Sequence, residues 1–207
     1  MQRRKWIWYL LLGMNVMLLA LLEMQYVKNQ RIQEQIAGKV LRFHVLANSD
    51  TAEDQNLKLA VRDAVGSRMA ELLSDVQDRE ACEQVVEAHL PEIAETAQAV
   101  VREAGYEYEV HAAIEETEFP SKTYGKFTFP AGKYEALRVV IGEGEGHNWW
   151  CVLYPPLCFV DASSGILPES SKEIIKENIS EEDYSYISED NTVFRFKYLT
   201  FLNKLFK

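Results

Sequence analysis

His44, Ser49 and Asp50 are the residue types of a nucleophilic triad, in which an imidazole takes a hydroxyl proton and a carboxylate orients the imidazole. Nearness in sequence does not supply that geometry. No Gly-x-Ser-x-Gly elbow occurs, and Ser49 stands where a helix would be capped, so capping is the simpler reading. The His residues at 44, 89, 111 and 147 lack the two- or four-residue spacing of metal ligands. Gly142, Gly144 and Gly146 bring a phosphate-cradling loop to mind, but such a loop needs a helix N-terminus behind it. Here Glu143 and Glu145 sit inside the loop and Trp149 and Trp150 follow, which reads as a flexible turn. Carboxylates are plentiful, yet none is placed to select an acid and a base, so no catalytic, cofactor-binding or metal-binding residue is assigned.

The sulfur chemistry is better focused. Residues 148–159 read Asn-Trp-Trp-Cys-Val-Leu-Tyr-Pro-Pro-Leu-Cys-Phe and hold two of the four Trp and two of the three Cys. If Tyr154 and Pro155 form a two-residue turn, Leu153 falls opposite Pro156 and Cys151 opposite Cys158, and an oxidised pair would staple a hairpin. A longer connection reads equally well, and the bridge requires an oxidising compartment. Cys82 lies on the apolar side of a helical pattern with Val85 and Val86 and reads as a small buried side chain.

The N-terminus bears on that compartment. Arg3, Arg4 and Lys5 precede residues 6–22, which are apolar except for Asn15. At about 1.5 Å per residue these 17 residues reach roughly 25 Å, a little short of a ~30 Å hydrocarbon core, between a signal peptide and a spanning helix. No small-x-small cleavage site follows, which favours an uncleaved anchor, and the basic flank keeps the N-terminus cytoplasmic. Beyond it lies a polar extension, with the whole of 1–39 read as the anchor segment. The remaining stretch of about 170 residues suits one core. After the first five residues, 19 Lys and Arg face 32 Asp and Glu, a net charge of −13 that repels nucleic acid and anionic lipid.

The elements that would position these residues follow from their periods. Leu41, Phe43, Val45 and Ala47 alternate with Arg42, His44 and Leu46 as in a strand. Asn48, Ser49, Asp50 and Thr51 offer capping groups before a helix whose stripe is Leu57, Val61, Val65, Met69 and Leu72. A second helix runs over residues 79–103, kinked or split by Pro91. Tyr106, Tyr108, Val110, Ala112 and Ile114 then alternate with polar residues, residues 120–132 read as a loop or irregular hairpin, and 137–141 as a short strand. The expected fold class is α+β: a mainly antiparallel sheet with two long helices on one face, preceded by an N-terminal membrane or signal helix. Residues 169–178 suggest a helix, and the chain ends in an aromatic, basic stretch over 193–207.

Taken together, Arg42-Phe43-His44-Val45-Leu46-Ala47-Asn48-Ser49-Asp50, then Asp54-Gln55-x-Leu57-Lys58-Leu59-x-Val61-Arg62-Asp63-Ala64-Val65, resemble the stage II sporulation protein R family. The later blocks agree: Tyr124-Gly125-x-Phe127, Pro130-x-Gly132-x-Tyr134-x-Ala136-Leu137-Arg138-Val139-x-Ile141-Gly142, and the Trp-Cys-Pro-Pro-Cys block. The resemblance spans 40–161, leaving 162–207 as an unassigned tail. It implies a signalling protein, not an enzyme. Such proteins are exported from the forespore into the space between forespore and mother cell. There they activate a membrane-embedded aspartic peptidase that processes pro-sigma-E, which would make that peptidase the partner and the bilayer a second contact through the N-terminal helix.

Two other readings compete with this. A cell-envelope hydrolase would use Ser49 with His44 or His147 and requires Ser49 Oγ within about 3.5 Å of an imidazole nitrogen. A wall-binding module would need Trp149 and Trp150 to present faces on one groove. For the signal, Arg42, His44, Asn48 and Asp50 at the end of the first strand are the expected receptor rim, with Trp149 and Trp150 as added anchors.

Overall fold

A computed structural model of the chain describes residues 2–158 and 169–188, so the aromatic, basic end lies outside the described residues. The first predicted strand forms as β1 (Leu41–Leu46), buried along its whole length. Thr51 ends the turn after it, with Oγ1 accepting from the Asp54 N–H at 3.3 Å, and Glu53 and Asp54 occupy the positive first turn of the next helix, Ala52–Leu72. The second predicted helix is split at His89 into Arg79–Ala88 and Leu90–Glu103. Pro91 has no N–H to donate and its ring clashes with a preceding turn, so it is accommodated where a new helix starts. With the N-terminal helix as α1 (Gln2–Ala37), these three are α2, α3 and α4, so three helices take the place of the two expected.

The remaining strands are β2 (Val110–Phe119), β3 (Lys122–Tyr124), β4 (Phe127–Phe129), β5 (Gly132–Ile141) and β6 (Asn148–Tyr154), followed by α5 (Glu169–Asn178) and α6 (Glu181–Ile187). The segment at 120–132 is a compact hairpin, β3 against β4, turning at Gly125 with φ +55°. β5 begins earlier than the 137–141 stretch suggests, because residues 132–136 pair with the far end of β2, Phe119 opposite Gly132. The main sheet has four strands in the order β2-β5-β1-β6. β1 runs parallel to β5, while β2–β5 and β1–β6 are antiparallel, giving the mainly antiparallel α+β fold.

Each face of this sheet has its own cover. Leu41, Phe43 and Val45 of β1, with Leu137, Val139 and Ile141 of β5, meet Leu57, Val61, Val65 and Met69 of α2, Cys82 and Val86 of α3, and Ile93 and Ala97 of α4. Buried Cys82 is an ordinary member of that core, and desolvation pushes its thiol up to about 12. The other face is covered by pieces scattered along the chain: Ile32 and Ile36 of α1, Phe127 and Phe129 of β4, Ile175 of α5 and Ile187 of α6. The polar extension is therefore part of the domain in its last turns. Ile32, Ile36 and Val40 recur every four residues, and Gln33 Nε2 donates to the Lys133 carbonyl at 2.9 Å. The first part of α1 exposes Trp6, Leu10, Met14 and Leu18 along one helix long and apolar enough to cross a membrane.

Candidate functional site

The loop that leaves β1 meets the glycine-bearing loop between β5 and β6. Gly146 N donates to the Ala47 carbonyl at 3.0 Å, Glu145 N to the Asn48 carbonyl at 3.2 Å, and Glu143 N to Asn48 Oδ1 at 3.1 Å. The sequence of residues 142–146 predicts a flexible turn. The structure instead ties the loop down, because Gly142 and Gly144 adopt φ of +57° and +65° and any Cβ at Gly146 would collide with the Ser49 backbone.

Beneath the loops lies a polar cluster. Asp54 accepts from Ser49 Oγ at 2.6 Å and Asn48 Nδ2 at 2.9 Å. Burial pushes this carboxyl up, but the hydrogen bonds from Ser49, Asn48, Tyr108 and Thr51 prevail and hold it below the ordinary carboxylate range. Lys58, 5% exposed, donates to Gln55 Oε1 at 2.6 Å and to the His147 carbonyl at 2.9 Å, and desolvation lowers its pKa. Exposed Asp50 accepts from the His147 N–H at 2.6 Å and from the His147 ring, hydrogen bonds that depress its pKa.

Arg42 and His44, expected on an exposed rim, are inside. Arg42 is 0% exposed and His44 3%, since both point to the second face of the sheet, which distant segments cover. The Arg42 guanidinium carbon lies 4.3 Å from the Phe119 ring centre, 4.9 Å from Tyr134, 5.4 Å from Phe129 and 5.7 Å from Tyr124. One amino group donates to Tyr124 Oη at 3.2 Å, while Nε and the other have no hydrogen-bond partner among the described residues. Burial lowers the pKa of this cation, with Tyr124 and Tyr134 acting against it. His44 stacks on Trp150 at 3.7 Å and donates from Nε2 to Asn148 Oδ1 at 2.8 Å, because an amide oxygen only accepts. Desolvation brings its pKa down to about 4, so the imidazole is neutral at pH 7.

Trp149 and Trp150 are neighbours on β6 and point to opposite faces. Trp149 meets Phe43 edge-on at 5.5 Å and lies under the Arg62 guanidinium, whereas Trp150 sits with His44 and Phe119. A single sugar-stacking groove is therefore not formed by this pair. The hydroxyl of Ser49 serves Asp54 and Thr51, and the rings of His44 and His147 serve Asn148 and Asp50, so the Ser–His bond of a hydrolase is not assembled. Among the described residues, no three His, Cys, Asp or Glu side chains converge on a metal site.

Cys151, in the middle of β6, and Cys158, past its end, are joined in a disulfide with Cα atoms 5.7 Å apart. Leu157 N donates to the Val152 carbonyl at 3.2 Å, which turns the chain back after the Pro-Pro corner. Sequence reasoning missed Asp54, Gln55 and Lys58 as the base of the loop cluster. Their signal was present: polar residues on the first turns of a helix, one turn apart, on the side that carries Leu57 and Val61.

The arrangement thus presents two loops tied together by hydrogen bonds at one end of the sheet. The model of the family described as stage II sporulation protein R (spore_II_R) matches residues 37–164, from the end of α1 past the disulfide. The chain belongs to the stage II sporulation protein R family. Stage II sporulation protein R of Bacillus subtilis (strain 168) is 38% identical over 157 residues, covering 76% of this chain and 69% of that protein. No solved structure matches the chain. Membership of the sporulation protein R family gives the protein a role in sporulation, and every element of the loop cluster falls inside the matched region.

Proposed function

We propose that this protein is an exported signal of endospore formation that activates the membrane-embedded aspartic peptidase processing pro-sigma-E. The observation that carries this is the family match over residues 37–164, which covers the four-stranded sheet and its first-face helices. The chain's other properties agree with an extracytoplasmic place, in the space between forespore and mother cell. An apolar N-terminal helix follows a basic flank, a disulfide closes the β6 turn, and acidic residues outnumber basic ones. In this reading α1 is a tether that keeps the signal at high effective concentration beside its receptor.

Asn48 and Asp50 remain the receptor-facing residues of this proposal, with the half-buried Trp149 and Trp150 as added anchors on opposite faces of β6. Arg42 and His44 support that surface from within. Co-purification of the protein with the peptidase, and pro-sigma-E processing in sporulating cells, test the reading. Association together with processing that depends on the protein is the expected result; processing that proceeds at the normal rate without it refutes the proposal.

A further inference from the structure

The two edges of the sheet are finished differently. On β6, Leu157 N donates to the Val152 carbonyl at 3.2 Å and Tyr124 Oη to the Trp150 carbonyl at 2.9 Å. On β2, the opposite edge, Gln98 of α4 does the same work at one end only. Its carboxamide donates to the Tyr108 carbonyl at 2.8 Å and accepts from Val110 N at 3.0 Å, imitating one peptide unit of a neighbouring strand.

The ladder register identifies what is left open. Gly142 N donates to the Glu109 carbonyl at 2.9 Å, so 109 and 142 are a hydrogen-bonded pair, and such pairs alternate along an antiparallel ladder. His111, Ala113, Glu115 and Thr117 therefore bond inward to β5. Ala112, Ile114, Glu116 and Glu118 turn their main-chain groups outward, and no described residue hydrogen-bonds their N–H groups. Sheet edges of this length invite an added strand unless blocked.

Charge selects the added strand. Glu107, Glu109, Glu116 and Glu118 are all exposed along this edge, and although Glu116 is paired with Lys133 at 2.8 Å, acid remains in excess there. At the Gln98 end a cleft of about 480 Å³ lies beside Tyr106 and Tyr108, whose rings stack at 5.2 Å; Glu107 and Glu109 are on its wall with His111 and with Arg102, whose charge is already paired with Glu95 at 2.9 Å. We propose that the outer edge of β2 receives an extended, lysine- or arginine-bearing segment of a protein partner as a fifth strand, with one cationic side chain in the cleft. A second copy of this chain fits poorly, because self-pairing brings two sets of Glu side by side. The inference stands independently of the peptidase reading, since it concerns the chemistry of the edge and not which protein supplies the segment.

The test uses the full chain in zwitterionic nanodiscs and the peptide acetyl-Lys-Val-Lys-Val-Lys-Val-Lys-amide, with a Glu-for-Lys peptide as its counterpart. Amide exchange at Ala112, Ile114, Glu116 and Glu118 should slow on adding the Lys peptide and not the Glu peptide. Glu116→Pro removes one outward donor at an edge position where proline is tolerated and should weaken binding about tenfold with the thermal midpoint retained. If that variant fails to fold, Glu116→Thr with Glu118→Thr keeps both donors and should weaken binding of the Lys peptide while lessening its salt dependence. Equal protection by both peptides, no protection by either, or protection of these amides by self-association alone overturns the proposal.

Discussion

The two faces of the sheet solve the same burial problem with different materials. On the face toward α2, α3 and α4, apolar side chains of strands and helices interlock, and a period of two meets helical stripes. On the face toward the end of α1, β4 and α6, a cation and an imidazole are enclosed by Phe119, Tyr124, Phe129, Tyr134 and Trp150. The first face gains its stability from area removed from water. The second accommodates two polar side chains by surrounding them with aromatic faces and a few hydrogen bonds, so its stability depends on protonation as well as packing.

That contrast can be broken by substitution. The largest effect is expected at Phe43→Ala, which empties a buried site against Trp149 in the helix-covered core and should cost about 3–5 kcal/mol in denaturant unfolding. Next is the pH dependence of the second face. His44 binds its proton at about 4 in the folded protein against an ordinary 6.5, so the unfolded chain holds more protons between those values and stability falls as pH drops through that window. The loss should approach roughly 3 kcal/mol at the acid end, and His44→Gln should flatten this part of the profile; an unchanged profile would remove His44 as its source.

A smaller change is expected from Cys151→Ser with Cys158→Ser, roughly 2 kcal/mol, since the closed loop is short and its entropy modest. Titration of two additional thiols in the oxidised wild-type protein would contradict the bridge. Arg42→Met should shift stability by only about 1 kcal/mol or less, because the apolar replacement spares the desolvation of a charge with unpartnered N–H groups. A loss as large as that of Phe43→Ala would show that the aromatic frame depends on the cation. The smallest effect belongs to Asp50→Asn, which removes charge from an exposed loop and should leave the thermal midpoint unchanged. Normal processing by that variant would exclude Asp50 from the receptor surface.

The helix-covered face was legible because Leu57, Val61, Val65 and Met69 announce their shared stripe within one helix, and Pro91 marks a break by its missing donor. Arg42 and His44 were misread as a rim because polar residues alternating with apolar ones look like a wet strand face. Their cover comes from Phe119, Phe129 and Tyr134, between 75 and 92 positions away in sequence, and no local period reports it. Ile32 and Ile36 gave a four-residue spacing, but within a polar stretch behind an anchor it looked like mere linker. The glycines at 142, 144 and 146 signalled unusual backbone without saying that Asn48 and Ser49 would lie against it. Trp149 and Trp150 needed only the strand's alternation to be placed on opposite faces.

α1 continues without interruption from the apolar stretch to the turns that carry Ile32 and Ile36, and those turns are locked against the sheet. With residues 6–22 in a bilayer, the ten-residue step from Leu22 to Ile32 sets a standoff of about 15 Å, and every residue in it turns the domain by about 100°. The helix is thus both a spacer and a compass. Two residues inserted there would lift the domain only about 3 Å yet swing it through about 200°, whereas seven would lift it about 10 Å and return it almost to its original heading. Height and heading become separable quantities, and the membrane-embedded partner proposed above would meet this domain with one side forward.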